Sequence, residues 1–152
     1  MSENSRAFLD LIAHSEIGPA LLAISDNGYN VLVGSTPAKP LLFHDYSTHP
    51  NVYNRAMNST AAGRYQLLHR YFKPYRDLLL LPDFGPASQD AIALQQVKEC
   101  HALHDIEDGN IELAVGKCRR IWASFPGAGY GQHENKMEAL LAAFEAAGGS
   151  IA

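Results

Sequence analysis

The stretch AHSEIG, residues 13–18, sets a glutamate, Glu16, between an apolar run and a turn. Phe8, Leu11, Ile12 and Ser15 recur at spacings of three and four, so residues 6–16 are expected to form a helix with one buried face, with Ser5 as a candidate cap. Glu16 then stands at the helix's C-terminal end, where the macrodipole disfavours a negative charge. Its apolar neighbours Ile17, Pro19, Leu21 and Leu22 act in the same direction, because a carboxyl set against hydrocarbon is harder to ionise. A glutamate held protonated near neutral pH is a general acid. The ordinary alternative is a solvated surface carboxylate, which is what most glutamates are.

Two further stretches combine small residues with groups that could hold a ligand. In STAAGRYQLL, Ala61, Ala62 and Gly63 remove side-chain bulk directly before Arg64, Tyr65 and Gln66, which lets a ligand approach the backbone. The competing reading is a tight helix start with Tyr65 as a core aromatic. In SFPGAGYGQ, Gly127, Gly129 and Gly131 surround Tyr130, and Gln132 follows. An aromatic and an amide projected into a cleft suit a sugar, with its apolar ring faces and many hydroxyls; the alternative is an ordinary turn.

Metal-ligand residue types occur in HDYSTH, with His44, Asp45 and His49, and again at Cys100, His101 and His104. Neither spacing matches the short paired ligands of a zinc site, so these histidines read as structural or solvated and no metal is expected. Cys118 lacks a local histidine partner, and no serine sits in a nucleophile-elbow pattern.

The chain that must position these groups has 152 residues, 47% hydrophobic and 18% charged, enough to bury one core with no room for a second full domain. A net charge of -4 argues against nucleic acid or an acidic membrane as a partner, since both require clustered Lys and Arg. No apolar segment reaches the length of a membrane span, so no stable membrane insertion is expected. The start, MSENSRAFLDLIAHSE, is acidic and amphipathic rather than basic and then hydrophobic, so no cleavable secretion signal is expected either. Cys100 and Cys118 fall on separate expected helices and read as packed free thiols, a disulfide being the less favoured alternative.

DNGYNVLVG is a turn signal followed by alternating apolar residues, with Pro37 and Pro40 before LLFHDYS, and reads as a small β-hairpin. From Thr60 the pattern turns helical through AAGRYQLLHRYFKPYRDLLL, with Pro74 expected to break or kink it. A helix from about Ser88 to Cys100 follows, with Pro86 near its first turn and Asp83 and Ser88 as candidate caps. DIEDGNIELAVGKCRRIW supplies another amphipathic segment, and ENKMEALLAAFEAAGG a last helix closed by Gly148 and Gly149. The sum is an α+β fold, a mainly helical lobe facing a small β-hairpin lobe. A groove between two such lobes suits an extended ligand, with Glu16 near the junction.

The segments SEIG, NGYNVLVG, DYSTHP, AAGRYQLL, DFGPASQDAIALQQ and IWASFPGAGYGQ, in that order, resemble the lambda-type phage endolysins from about Ala7 to Gly149. The resemblance implies a single lysozyme-like catalytic domain over residues 1–152. The implied activity is that of a lytic transglycosylase, cutting the bond between N-acetylmuramic acid and N-acetylglucosamine in peptidoglycan and leaving 1,6-anhydromuramoyl ends. It maps the catalytic acid onto Glu16 and places Gly63, Arg64, Tyr65 and Gln66 along the glycan groove, together with Tyr29, Asn30, Asp45, Tyr130 and Gln132. The family pattern has glycine directly after the glutamate and aspartate after Gly-Tyr, where this chain has Ile17 and Asn30. Asn30 can face a nearby positive charge only through its amide oxygen.

No metal or organic cofactor is implied. The resemblance further implies a monomer acting on glycan strands of the wall, made in the bacterial host cytoplasm. It reaches the periplasm once a separate holin, with no direct contact, has opened the inner membrane. Two alternatives stay open on the residues: a hydrolytic lysozyme using Glu16 with Asp45 as second carboxylate, and a noncatalytic peptidoglycan-binding module.

Overall fold

The computed structural model describes residues 1–129 and 134–152. Its regular elements are the helices α1 (Glu3–Glu16), α2 (Pro19–Ile24), α3 (His69–Leu79), α4 (Pro86–Glu99), α5 (Leu103–Glu107), α6 (Ile111–Cys118) and α7 (Met137–Ala146). The chain forms two compact units, one from residues 1–16 and 93–152, the other from residues 17–92. Among the described residues no helix is long and apolar enough to cross a membrane.

In the first unit, α1 runs as the periodicity requires and buries Phe8, Leu11, Ile12 and Ser15. Its cap is Ser2 rather than the expected Ser5: the Ser2 hydroxyl accepts the Ser5 N–H at 3.0 Å. Ser5 lies one turn in and buried, its hydroxyl donating to Glu107 Oε1 at 2.6 Å, so a polar side chain on the buried face is satisfied by α5. Against α1 pack α5 and α7. Trp122, Phe125, Ile106, Ile111, Leu140 and Phe144 are fully buried, and Phe125 meets Phe8 edge-on with ring centroids 6.4 Å apart. Each such side chain contributes roughly 1.5–3 kcal/mol when removed from water.

The amphipathic segment after Asp105 is two helices. Gly109, at φ +81°, turns the chain between α5 and α6. A Cβ there would press on the backbone of Ser150, Ile151 and Ala152, whose end is held by the Ala152 N–H donating to Gly109 O at 3.1 Å. The last helix closes as expected at two glycines, Gly148 at φ +97° and Gly149 directly against the Phe144 ring. Cys100 and Cys118 are buried free thiols, matching the sequence reading.

The second unit has its own core of Phe43, Ala62, Leu67, Phe72, Phe84 and Ile92. Here the structure departs from two expectations. In place of a hairpin with paired strands, the described residues hold isolated antiparallel bridges: Val31 to Leu42, Leu32 to Ala62, Ala62 to Leu67 and Asn54 to Ser59. A ladder cannot propagate from Val31 because Gly34 turns the chain at φ +83°, Thr36 and Lys39 bond each other's backbone, and Pro37 and Pro40 have no N–H to donate.

The helix expected from Thr60 starts only at His69. Gly63 at φ +88° and Gln66 at φ +53° are left-handed, so residues 62–67 form a reverse turn closed by Ala62 and Leu67, which exchange N–H···O bonds of 3.0 and 2.9 Å. Beyond it α3 runs through Pro74, forgoing one internal hydrogen bond, and stops at Leu80, which is left-handed at φ +54°. α4 begins at Pro86, where the missing N–H costs nothing. Asp83 is the capping group: its Oδ1 accepts the Gly85 N–H at 2.9 Å and the Ser88 hydroxyl at 2.8 Å, so Ser88 donates to the cap instead of forming it.

Candidate active site

Glu16 is the last residue of α1, half-buried, with its Oε2 3.2 Å from the Ser124 hydroxyl. The Ser124 and Ser15 hydroxyls are 2.7 Å apart. Asn135 donates from Nδ2 to the Ser15 hydroxyl and to the Ser15 carbonyl, each at 3.1 Å, and its backbone N–H bonds Ser124 O at 2.8 Å. The helical period puts Ser15 on the buried face beside Glu16. Ser124 is fixed by its flanking aromatics: Trp122 and Phe125 are both buried, and a 3.0 Å bond from Phe125 N–H to Trp122 O makes a tight turn with Ser124 inside it.

Burial raises the Glu16 pKa from 4.5 to about 7, and the Ser124 hydrogen bond offsets this only in part. The carboxyl is thus poised between donor and acceptor of a proton near neutral pH, the state required of a group that must act as acid and then as base.

In the following loop Gly127 and Gly129, both left-handed, direct their N–H groups at one carboxylate, Glu134, at 2.9 and 3.0 Å. These two donors hold Glu134 below the usual carboxylate range. Tyr130 and Gln132, both expected to contact a sugar, lie outside the described residues.

In the second unit the structure gathers Tyr29, Gly63, Arg64, Tyr65 and Gln66 into one hydrogen-bonded framework. Arg64 and Tyr65 are only 6% and 5% exposed. The Arg64 Nε donates to Asn27 O and its Nη1 to the Tyr65 hydroxyl, both at 2.9 Å. Tyr65 in turn donates to Asp90 Oδ1 at 2.6 Å, and Tyr29 to the same oxygen at 2.9 Å. Burial first and the Asp90 carboxylate second push the Tyr29 hydroxyl up to about 12, and that of Tyr65 moves in the same direction. Gln66 donates to Val31 O at 3.2 Å and Gly63 O at 2.9 Å. The smallness of Gly63 admits Gln89, which would collide with a Cβ there and which accepts the Arg64 N–H at 2.9 Å.

Asn30 is buried, and its Oδ1, the atom expected to face a positive charge, accepts the Asp26 N–H at 2.9 Å. Asp45 is exposed and kept ionised by the Ser47 N–H at 2.8 Å. His49 is a core histidine, the structural one of the two roles left open for it. Its Nε2 meets Leu67 O at 2.7 Å and its Nδ1 accepts the Asn51 N–H at 3.0 Å, which fixes the neutral tautomer, and burial lowers its pKa from 6.5 to about 4.

Sequence reasoning missed Ser15 as a polar partner, and missed Ser124, Asn135, Gln89 and Asp90 altogether. For Ser124 a signal existed: a small hydroxyl between two aromatics in WASF, both in need of burial, has to find a partner inside. Arg64 likewise announced a need for acceptors without saying which would meet it; they include Asn27 O and the Tyr65 hydroxyl.

The comparisons with known proteins agree across the chain. The sequence pattern of the endolysin family matches residues 6–151. The endolysin of Escherichia phage P2 is 48% identical over 97% of this chain and 94% of its own length. That of Escherichia phage lambda is 47% identical over 99% and 95%. The structure of bacteriophage lambda lysozyme complexed with a chitohexasaccharide superposes with a TM-score of 0.91 at 47% identity, covering 100% of this chain and 98% of that one. A second structure of the lambda lysozyme gives 0.81 at 45%, with the same coverage. End-to-end identity near one half, together with a shared backbone, establishes that the chain belongs to the endolysin family and has the fold of lambda lysozyme.

Proposed function

We propose that the chain is a single-domain peptidoglycan lytic transglycosylase with Glu16 as its only acid–base group. The observation that carries this reading is one carboxyl at a helix end whose pKa is lifted to about 7 by burial, bonded to a neutral hydroxyl. Protonated Glu16 gives its proton to the oxygen joining C1 of N-acetylmuramic acid to C4 of N-acetylglucosamine. The C1–O bond breaks as the ring becomes oxocarbenium-like. The muramoyl C6 hydroxyl then bonds C1 and surrenders its proton to the Glu16 carboxylate, which restores the acid and leaves a 1,6-anhydro ring. No water is consumed and no metal or organic cofactor is needed. A nucleophile on the same ring has the entropic advantage of an intramolecular attack, which makes a second carboxylate unnecessary.

The related lambda lysozyme takes a chitohexasaccharide, which supports a glycan strand as the ligand here. In this reading Arg64, Tyr65, Gln66 and Asn30 act through the backbone they hold, Gly63 included. Tyr29, Asp45, Tyr130 and Gln132 complete the glycan-binding set. The enzyme is made in the host cytoplasm, reaches the wall after a holin opens the inner membrane, and acts as a monomer.

A hydrolytic lysozyme is the competing reading, favoured by one observation: Asp45 is an exposed carboxylate kept ionised. Solubilisation of purified sacculi separates the two. Glu16→Gln, which keeps the shape but cannot donate an acidic proton, is expected to lose about 10²–10⁴-fold in kcat with binding retained, and Asp45→Asn to keep kcat within a few-fold of the parent, its loss falling on KM. Full activity of Glu16→Gln removes Glu16 from the mechanism; a parent protein that binds sacculi without solubilising them leaves a binding module; equal losses in the two variants favour hydrolysis.

A further inference from the structure

Glu16 does not stand alone on Ser124: the bonds behind it have a direction. The Asn135 side-chain nitrogen can only donate, and it does so to the Ser15 hydroxyl at 3.1 Å. Ser15 is thereby made an acceptor on that side, and its own proton is free for Ser124, 2.7 Å away. Ser124 then has its proton left for Glu16 Oε2 at 3.2 Å. A hydroxyl has one proton but can accept twice, so it is the Ser124 proton given to Glu16 that makes Ser15 the donor across the 2.7 Å contact and leaves Ser15 to accept from Asn135.

We propose that Asn135, Ser15 and Ser124 form a one-way donor relay that positions the Glu16 carboxylate and stabilises it after it has given up its proton. The inference rests on the reading of Glu16 as the acid and adds three positioning residues to it, each acting through the Glu16 carboxylate. Ser124 and Asn135 also bond each other through the backbone, so the relay is built at both ends of the segment from residue 124 to residue 135. Among the described residues, burial raises the Glu16 pKa and the Ser124 bond lowers it, so the row of neutral donors behind Ser124 opposes desolvation. The expectation is one of balance. Without the relay the acid holds its proton more tightly and the carboxylate, once formed, loses its aim.

The test is a carbon-13 NMR titration of the Glu16 carboxyl, paired with the pH profile of sacculus solubilisation, in the parent and in Ser124→Ala, Ser124→Thr, Asn135→Ala and the Ser124→Ala, Asn135→Ala double variant. Ser124→Ala is expected to raise the Glu16 pKa by about half a unit to one unit and to lower kcat roughly five- to tenfold with KM unchanged. Ser124→Thr, which keeps the hydroxyl, is expected to restore both. Asn135→Ala is expected to shift the pKa in the same direction by less, and the double variant to equal Ser124→Ala alone, because the members of a relay do not add. A Glu16 titration unmoved in Ser124→Ala, or additive shifts in the double variant, overturns the relay while Glu16 keeps its role. Full activity of Glu16→Gln removes the reading beneath it instead, so the two failures are told apart.

Discussion

At the scale of single residues, the raised pKa on which the proposed role of Glu16 rests has a stability signature. Its folded pKa, about 7, lies above the value of 4.5 for an unburied glutamate. Between these values the unfolded chain has lost the proton and the folded one retains it. The contribution is therefore fully present below pH 4.5 and is lost as the pH rises through about 7. Glu16→Gln removes the ionisation, so it is expected to stabilise the protein at pH 8 by up to about 3 kcal/mol and to change little at pH 4, read as Tm in thermal melts at the two values. A Tm at pH 8 equal to or below that of the parent contradicts the burial argument. Glu16 was legible in the sequence because periodicity and the helix end are local properties. Ser124 was not: it meets Glu16 across 108 positions of chain, and no local pattern records which hydroxyl will arrive.

At the scale of elements, the reverse turn at residues 62–67 carries the clearest lesson. Its composition reads as helix, since Ala, Arg, Gln and Leu are all good helix formers. Gly63 overrules them, and what fixes its conformation is Gln89, which sits where a side chain would be and bonds the next N–H. Gly63→Ala is expected to cost about 2–4 kcal/mol, combining the left-handed backbone with the displacement of Gln89, whereas Ala61→Gly nearby is expected to cost about 1 kcal/mol or less. Chemical denaturation measures both, and a Gly63→Ala variant as stable as its parent contradicts the close-packing account. The hairpin was over-read for a related reason: alternation over Tyr29–Val33 is real, but Gly34, Pro37 and Pro40 prevent a ladder from growing beyond single bridges. Helices α1, α4 and α7 were legible because their periods, prolines and terminal glycines agree with one another.

At the scale of the whole molecule, composition bounded the class and argued against a polyanionic partner, while the family came from order: six short motifs in sequence along one chain. Those motifs carry framework as much as chemistry. Arg64, Tyr65 and Asp90 hold a turn together, and in the proposed reaction a single carboxyl, Glu16, moves the proton. The direct measurement is the mass of muropeptides released when purified sacculi are digested in ¹⁸O-labelled water. Transglycosylation by Glu16 requires new muramoyl ends that are one water lighter than reducing ends and free of the label. New ends that are reducing and carry ¹⁸O at the anomeric position contradict it.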